Sequence, residues 1–157
     1  MKQLTILTMG LLTMANCDAA DLVATKVLAV TLYRELSSPD FRRDHELMLS
    51  VIRNRAERVD APSLVSVCTK RWQFSYWNRF WLDGKFTLTP SKLEGEYKKV
   101  PATFVSGFED HVMKPSVDPE INHFYSPNAM HPKFSTPVWA VGKTAKHVTK
   151  KFRYYAL

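Results

Sequence analysis

The stretch PDFRRDHELMLSVIRNRAER, residues 39–58, carries the clearest helical pattern in the chain. Its apolar residues recur at spacings of three and four, the period of one helix face; they are Leu47, Met48, Val51 and Ile52. Ser38, Pro39 and Asp40 are typical of a helix start, because serine caps the first amides, proline suits the first helical position and an acid favours the positive end. The stretch therefore predicts a helix over 39–58.

Three further helices are predicted on either side of this one. Residues 20–36 place apolar groups along one helical face. A shorter helix is expected at 62–69, and a third long one at 91–113, which Ser91 would cap and Pro101 would interrupt. These patterns predict a mainly α protein.

Beyond the helices, the pattern is less regular. Asp83-Gly84 predicts a turn, and the five prolines between 115 and 137 predict a long ordered loop. A loop of this length in a compact domain is usually functional. Residues 138–157 are compatible with helix or strand. The chain has 157 residues and no internal repeat, so residues 20–157 are expected to form one domain.

Composition limits the possible partners. The chain is 45% hydrophobic, which excludes wholesale disorder, and its two cysteines and five glycines exclude disulfide-dense and collagen-like classes. Its net charge of +7 favours an anionic partner, which could be nucleic acid, an acidic membrane or an anionic cell wall. Residues 121–157 contain six basic residues and no acid. Such a run is usually a solvated face, but its single sign favours a surface that faces anions.

The N-terminus reads as an export signal over residues 1–19. Lys2 is followed by an uncharged run to Ala15, which is too short to span a bilayer comfortably. Cleavage after Cys17 or Ala19 fits the small residues there. A lipoprotein signal at Cys17, a buried N-terminal helix and a retained anchor are the alternatives. Export to the periplasm, wall or exterior is expected, or delivery to a host wall if the gene is phage-borne.

The chain lacks the sequence motifs of several metal and nucleotide sites. His45-Glu46 is not followed by a second histidine at metal-ligand spacing, and the chain has neither a P-loop nor a glycine-rich dinucleotide fingerprint. No metal, nucleotide or other cofactor is therefore expected. Cys68 lies in an apolar run and is expected to be a buried small hydrophobic residue rather than a nucleophile.

Glu35 is the strongest candidate for catalysis. It ends an apolar helix beside Tyr33 and Leu36. The negative end of the helix dipole is unfavourable for an anion, and partial burial disfavours the charge further. The pKa of Glu35 is thus expected to be raised, which suits a general acid acting on a glycosidic oxygen. The alternative is an exposed glutamate at a helix end with no role.

The segment from Trp72 to Trp81 holds six aromatic residues among ten. Gln73, Ser75 and Asn78 are interleaved with them, and aromatic faces beside amides and hydroxyls suit sugars. Single-stranded nucleic acid would be suited equally, because bases stack on aromatic rings. The third interpretation is a hydrophobic core, which is expected at least for Phe74 and Phe80.

Five groups of residues together resemble a known family. In order they are AVTLYRE (29–35), VIRNR (51–55), Val67-Cys68 with Gln73-Phe74-Ser75, HFY (123–125), and PVWA (137–140) with His147. This series is similar to cell wall hydrolases of the spore-cortex-lytic (SleB-like) type, which act on peptidoglycan. The chain departs from the family pattern at Leu36-Ser37-Ser38, after the glutamate, and at Ala145-Lys146.

The resemblance implies a lysozyme-like, mainly helical fold in which Glu35 is the catalytic acid. It also implies that the Gln73-Phe74-Ser75 and His123-Phe124-Tyr125 segments flank a glycan cleft. The full set of predicted substrate-binding residues is Gln73, Phe74, Ser75, Trp77, His123, Tyr125 and Asn128. The implied partners are peptidoglycan strands and the anionic wall surface, with a monomer expected.

The predicted reaction is cleavage between N-acetylmuramic acid and N-acetylglucosamine. A hydrolase would need a second carboxylate, and Asp40, Asp44 and Glu46 are the nearest in sequence. Asp40 is more plausible at a helix start, and the other two are expected on the solvent face. The lack of an obvious partner favours a lytic transglycosylase. A muramidase, or a non-catalytic basic module that binds wall glycan or single-stranded nucleic acid, is the alternative.

Overall fold

A computed structural model describes residues 21–36, 42–58, 63–106 and 115–157. The predicted export signal at 1–19 and the predicted helix start at Ser38-Pro39-Asp40 lie outside the described residues. Within the described ranges, no helix is both long and apolar enough to cross a membrane.

Helices form most of the regular structure, so the predicted mainly α class is confirmed. They are α1 over 21–36, α2 over Arg42–Ala56, α3 over Leu64–Thr69, a 3₁₀ helix over Ser75–Phe80, α4 over Pro90–Tyr97 and α5 over 102–106. The interruption predicted near Pro101 is confirmed, because α4 and α5 are separate. Thr89, not Ser91, caps α4, since its hydroxyl accepts a hydrogen bond from the Lys92 amide at 3.3 Å.

The described residues also form two small antiparallel sheets. Strands β1 (Trp81–Leu82) and β2 (Lys85–Phe86) form a hairpin. Asp83 and Gly84 connect them with φ of 48° and 76°, so the predicted turn is confirmed as a two-residue hairpin loop with both residues left-handed.

The second sheet is formed by the predicted loop region and by the last segment, for which the sequence did not distinguish helix from strand. Strands β3 (His123–Tyr125), β4 (His147–Val148) and β5 (Arg153–Tyr155) pair in the order β3-β5-β4. The proline-rich stretch therefore contains a strand. The last twenty residues contain a 3₁₀ helix over Val138–Ala140 and the short strands β4 and β5 rather than one long helix. In this sheet, β3 near residue 121 pairs with β5 near the C-terminus.

The hydrophobic core lies between α1, α2 and the C-terminal sheet. Its largest fully buried side chains include Leu28, Leu47, Phe74, Trp77 and Tyr154. The predicted burial of Cys68 is confirmed, since it is 0% exposed. Burial of this apolar surface is the main force that fixes α1 against the rest of the domain.

Candidate functional site

Glu35 lies near the end of the described part of α1 and is partly buried. Burial raises the pKa of this carboxyl above its usual range, while the positive charge of Lys151 lowers it by a smaller amount. Lys151 lies in the turn between β4 and β5 and donates a hydrogen bond from Nζ to the backbone carbonyl of Glu35. This part of α1 thus carries a carboxyl whose pKa is raised by burial, with Lys151 beside it.

A cavity of about 610 Å³ opens beside α3. The C-terminal end of α2, α3, the hairpin and the start of β3 form its walls. Its volume lies in the range of small-ligand sites. The lining residues are Arg55, Arg58, Ser66, Val67, Thr69, Lys70, Gln73, Trp81, Phe86 and His123.

Arg55 is held by fixed hydrogen bonds at this cavity. Its Nε donates to the backbone carbonyl of Asn122 at 2.6 Å, and its Nη1 donates to Oε1 of Gln73. Burial lowers the pKa of Arg55 to about 10, and the nearby charge of Arg58 adds to that effect. Arg55 is nevertheless cationic at neutral pH, so it presents a positively charged, pre-oriented group.

His123 also lines the cavity. Burial lowers its pKa to about 4, with further lowering by Arg55 and Arg58. Its Nδ1 lies 2.7 Å from Oδ1 of Asn122, an oxygen that also accepts from the Leu157 amide. Because that amide oxygen can only accept, Nδ1 carries the proton and Nε2 is an acceptor.

The structure places the predicted site residues in different parts of the fold. Gln73 and His123 both line the cavity. Ser75 and Asn128 are exposed, and neither belongs to the cavity lining. Tyr125 packs instead against Tyr155, with ring centroids 6.0 Å apart, and against Trp139 at 5.9 Å.

The structure corrects the substrate-binding role predicted for Phe74 and Trp77. Phe74 is 1% exposed and Trp77 is 0% exposed, and both belong to the core. The core interpretation is thus confirmed for Phe74, whereas the prediction that these two rings bind substrate is wrong. The indole Nε1 of Trp77 donates to the Thr31 hydroxyl at 2.9 Å, and Phe74 packs on Phe124 at 5.7 Å. Rings buried in this way present no face to a glycan. Of the aromatic cluster, Trp81 is the residue that lines the cavity.

Glu35 itself is not a lining residue of this cavity. Thr31 lies one turn earlier on the same face of α1. Thr31 bonds to Trp77 and contacts Cys68 of α3. The face of α1 that carries Glu35 therefore packs on the same elements that form the cavity walls.

The buried carboxylates other than Glu35 all have partners. Asp44 is 3% exposed and accepts from the Tyr154 hydroxyl at 2.9 Å, so its predicted position on the solvent face is wrong. Glu96 accepts from the Tyr76 hydroxyl and pairs with three cations, which are Arg34, Arg79 and Lys99. Among the described residues, both carboxylates thus form hydrogen bonds or ion pairs.

Asp118 is the third buried carboxylate, and the sequence gave no reason to select it. His147 lies 2.7 Å from its Oδ2, and Lys146 3.1 Å from its Oδ1. Burial raises the pKa of Asp118, but hydrogen bonds from His147, the Glu120 amide and Lys146 outweigh it and lower the pKa to about 2. Asp118 is thus a structural anion that ties β4 to the segment before β3.

Asp118 is expected to make the protein sensitive to acid. Its pKa in the folded protein is about 2, below the value of about 3.9 of an unfolded chain. Ionised Asp118 therefore stabilises the fold above pH 4, and this contribution is lost as the pH falls towards 2. Urea unfolding at several pH values should show that Asp118→Asn is less stable at pH 7 and has a flatter dependence below pH 4. An equally steep dependence in the variant would contradict this role.

Comparison of the chain with models of protein families, with characterised proteins and with solved structures gives no match. The resemblance to cell wall hydrolases thus rests on the quoted motifs. The described residues also contain no group of three or more His, Cys, Asp or Glu side chains that could hold a metal ion.

Proposed function

We propose that this protein is a lysozyme-like enzyme that cleaves the β-1,4 bond between N-acetylmuramic acid and N-acetylglucosamine in peptidoglycan, with Glu35 as general acid. The observation that carries the proposal is the partly buried carboxyl of Glu35 in α1, whose pKa is raised by burial. A protonated carboxyl near neutral pH is what cleavage of a glycosidic oxygen requires. The aromatic and amide groups of Trp81 and Gln73 in the cavity suit a sugar.

The reaction type proposed is that of a lytic transglycosylase. Glu35 donates its proton to the bridging oxygen as the bond from muramic C1 to that oxygen breaks. The resulting carboxylate then accepts the proton of the muramic 6-hydroxyl, whose oxygen bonds to C1 and closes a 1,6-anhydro ring. No water is consumed. The resemblance to the cell wall hydrolases supports this outcome.

Mass spectrometry of a digest of purified cell walls tests this proposal. An anhydro-ended product is lighter by the mass of one water, about 18 Da, than the product of a muramidase. Anhydro ends support the transglycosylase, and hydrated ends favour the muramidase. If the protein releases no glycan fragments at all, the catalytic proposal is wrong.

A non-catalytic basic module is the second candidate. It is favoured by the three cations Arg55, Arg58 and Lys70 around the cavity, which suit an anionic polymer such as wall glycan or single-stranded nucleic acid. In that case the full chain binds the polymer without cleaving it, and Glu35→Gln leaves the binding unchanged.

The basic C-terminal segment would attract the enzyme to the wall. Lys146 pairs with Asp118 and Glu120, whereas Lys133, Lys143 and Lys150 are exposed. Exposed positive charge raises the association rate with an anionic surface, and salt screens the effect. This role places the protein outside the cytoplasmic membrane, in line with the export signal predicted from the sequence.

Lys151 is expected to set the alkaline limit of activity. Its charge lowers the pKa of Glu35, so Lys151→Gln raises that pKa and keeps the acid protonated to higher pH. The alkaline limb of kcat/KM against pH should then move upwards. Lys150→Gln, which removes an exposed neighbouring charge, is the matched control and should leave the limb in place. An unchanged pH profile of kcat/KM for Lys151→Gln would show that Lys151 does not influence the pKa of Glu35.

A further inference from the structure

An exposed loop over residues 133–143 carries three apolar side chains that the fold does not cover. Val138 is 92% exposed, Phe134 is 70% exposed and Val141 is 64% exposed. Four peptide units separate Phe134 from Val138, so their Cα atoms are at most about 14 Å apart. Single apolar residues on a surface are ordinary, but apolar surface that is concentrated in one place is typical of an interaction site.

The exposed loop is anchored to the C-terminal sheet by a residue between its two valines. Trp139 lies in the 3₁₀ helix Val138–Ala140, and its ring packs against Tyr155 with centroids 5.4 Å apart. Residues three apart share one side of a 3₁₀ turn, so Val138 and Val141 lie on the same side. Because the tryptophan is fixed on the sheet, the two valines are presented to solvent together.

Phe134 has a backbone conformation that is unusual for a bulky residue. Its φ is 64°, in the left-handed region that favours glycine and asparagine. Its amide donates a hydrogen bond to the carbonyl of Pro127 at 2.9 Å, which holds the backbone in place. Packing within the chain does not account for a phenylalanine at this position, because the side chain is exposed. Strained residues of this kind cluster at functional sites, and contact with an outside partner would account for the ring.

Charge distinguishes among the partners that could cover this loop. Lys133 and Lys143 flank the apolar side chains, are exposed and form no ion pair with a carboxylate in the described ranges. The sequence from 121 to 157 contains no acid, so a second copy of this segment would bring like charges together. Wall glycan is a poor fit for aliphatic side chains, which form no hydrogen bonds with sugar hydroxyls. An anionic bilayer fits both features, since its acyl boundary accepts apolar side chains and its headgroups attract lysines.

We propose that the exposed loop 133–143 is a membrane-contact site that places Phe134, Val138 and Val141 at the boundary between headgroups and acyl chains of an anionic bilayer. Lys133 and Lys143 interact with the lipid phosphate groups. The contact is reversible, because three side chains bury little apolar area compared with a lipid anchor. It does not depend on glycan cleavage, so this proposal and the proposed function can each fail without the other.

Sedimentation of the full chain with lipid vesicles measures the affinity. One set of vesicles is phosphatidylcholine alone, and the other is equal parts of phosphatidylcholine and phosphatidylglycerol. At low salt the chain is expected to bind the anionic vesicles at least about tenfold more tightly, because each lysine near such a surface adds to the attraction. Phe134→Asn with Val138→Ser should weaken binding to the anionic vesicles at least about tenfold, and Lys133→Gln with Lys143→Gln should have an effect of about the same size.

Matched double variants outside the loop are the controls. Leu82→Ser with Val117→Ser removes two exposed apolar side chains, and Lys85→Gln with Lys98→Gln removes two exposed charges. Both control proteins should bind the anionic vesicles like the wild type. Asparagine tolerates the left-handed conformation at position 134, so the loop variant should fold, and thermal unfolding without lipid checks each protein.

A local measurement separates the loop from residues 1–19, whose apolar sequence could bind lipid by itself. An environment-sensitive fluorophore is attached to the thiol of Val141→Cys in a chain that also carries Cys17→Ser, and Cys68 is buried and does not react. Anionic vesicles should shift its emission to shorter wavelength, and neutral vesicles should not. The same fluorophore at Leu82→Cys should show no shift with either.

An unshifted emission at position 141 with anionic vesicles would overturn the proposal, and so would wild-type affinity of the variant Phe134→Asn with Val138→Ser. An equal shift with neutral vesicles would contradict the role of the lysines. A dimer that forms without lipid and is lost in Val138→Ser would assign the loop to a second copy of the chain instead. Binding to purified wall glycan that depends on Lys133 and Lys143, without binding to vesicles, would assign it to the wall.

Discussion

Glu35→Gln is expected to reduce the turnover of purified cell walls by at least about a hundredfold, since general acid catalysis contributes about that much. Glutamine has nearly the same shape but cannot donate a carboxylic proton to the glycosidic oxygen. The fold should be retained, because the hydrogen bond that Lys151 donates to the backbone carbonyl of Glu35 does not depend on the side chain that is changed. Release of soluble muropeptides, followed over time, measures the effect.

Glu46→Gln is the matched control for this loss. Glu46 is also a partly buried glutamate of a helix, but it pairs with Arg43 at 3.4 Å. We expect the Glu46 variant to keep wild-type turnover. Wild-type turnover by Glu35→Gln would remove Glu35 from the mechanism, whereas an equal loss in both variants would indicate a pair of carboxylates and favour a muramidase.

The fold is predictable from the sequence where one helix face is long enough to establish a period. Leu47, Met48, Val51 and Ile52 recur at spacings of three and four, and all are buried in α2. The C-terminal strands are only two or three residues long, and such short segments carry no period that distinguishes strand from helix. Their pairing depends on contacts between His123–Tyr125 and Arg153–Tyr155, which are distant in sequence.

The candidate site is predictable only in part, for a related reason. The raised pKa of Glu35 follows from its place at the end of an apolar helix, and the structure gives the same direction. The cavity is different, because Arg55 and Lys70 reach it from the ends of two helices and Trp81 reaches it from a hairpin. The sequence selects Arg55 only as part of the VIRNR motif. That Arg55 and Lys70 lie at the same cavity depends on the tertiary structure.

The aromatic cluster shows the limit most clearly, since the sequence alone does not tell its tryptophans apart. Trp72 is 73% exposed, Trp77 is 0% exposed and Trp81 lines the cavity. The difference arises because Trp77 lies on the face of the 3₁₀ helix that contacts α1, where Thr31 accepts its hydrogen bond. Burial of one ring and exposure of its neighbour are properties of packing, and a run of aromatic residues does not encode them locally.

Trp77→Ala is accordingly expected to lower the free energy of unfolding by about 3–5 kcal/mol, the usual cost of removing a large buried ring. That loss is a large part of the total stability of a domain of this size. The ring packs against Tyr76 at 5.4 Å and Phe80 at 5.8 Å, and its removal also takes away the hydrogen bond to Thr31. Urea unfolding of both proteins measures the difference.

Trp72→Ala provides the comparison, because it removes the same side chain from the same segment at an exposed position. Its effect on the free energy of unfolding should stay within about 0.5 kcal/mol, as for most surface substitutions. Trp77→Phe should lie between the two, since it keeps most of the ring volume but cannot donate to Thr31. A Trp77→Ala protein with wild-type stability and impaired glycan binding would reverse the assignment of Trp77 to the core and return it to the binding surface.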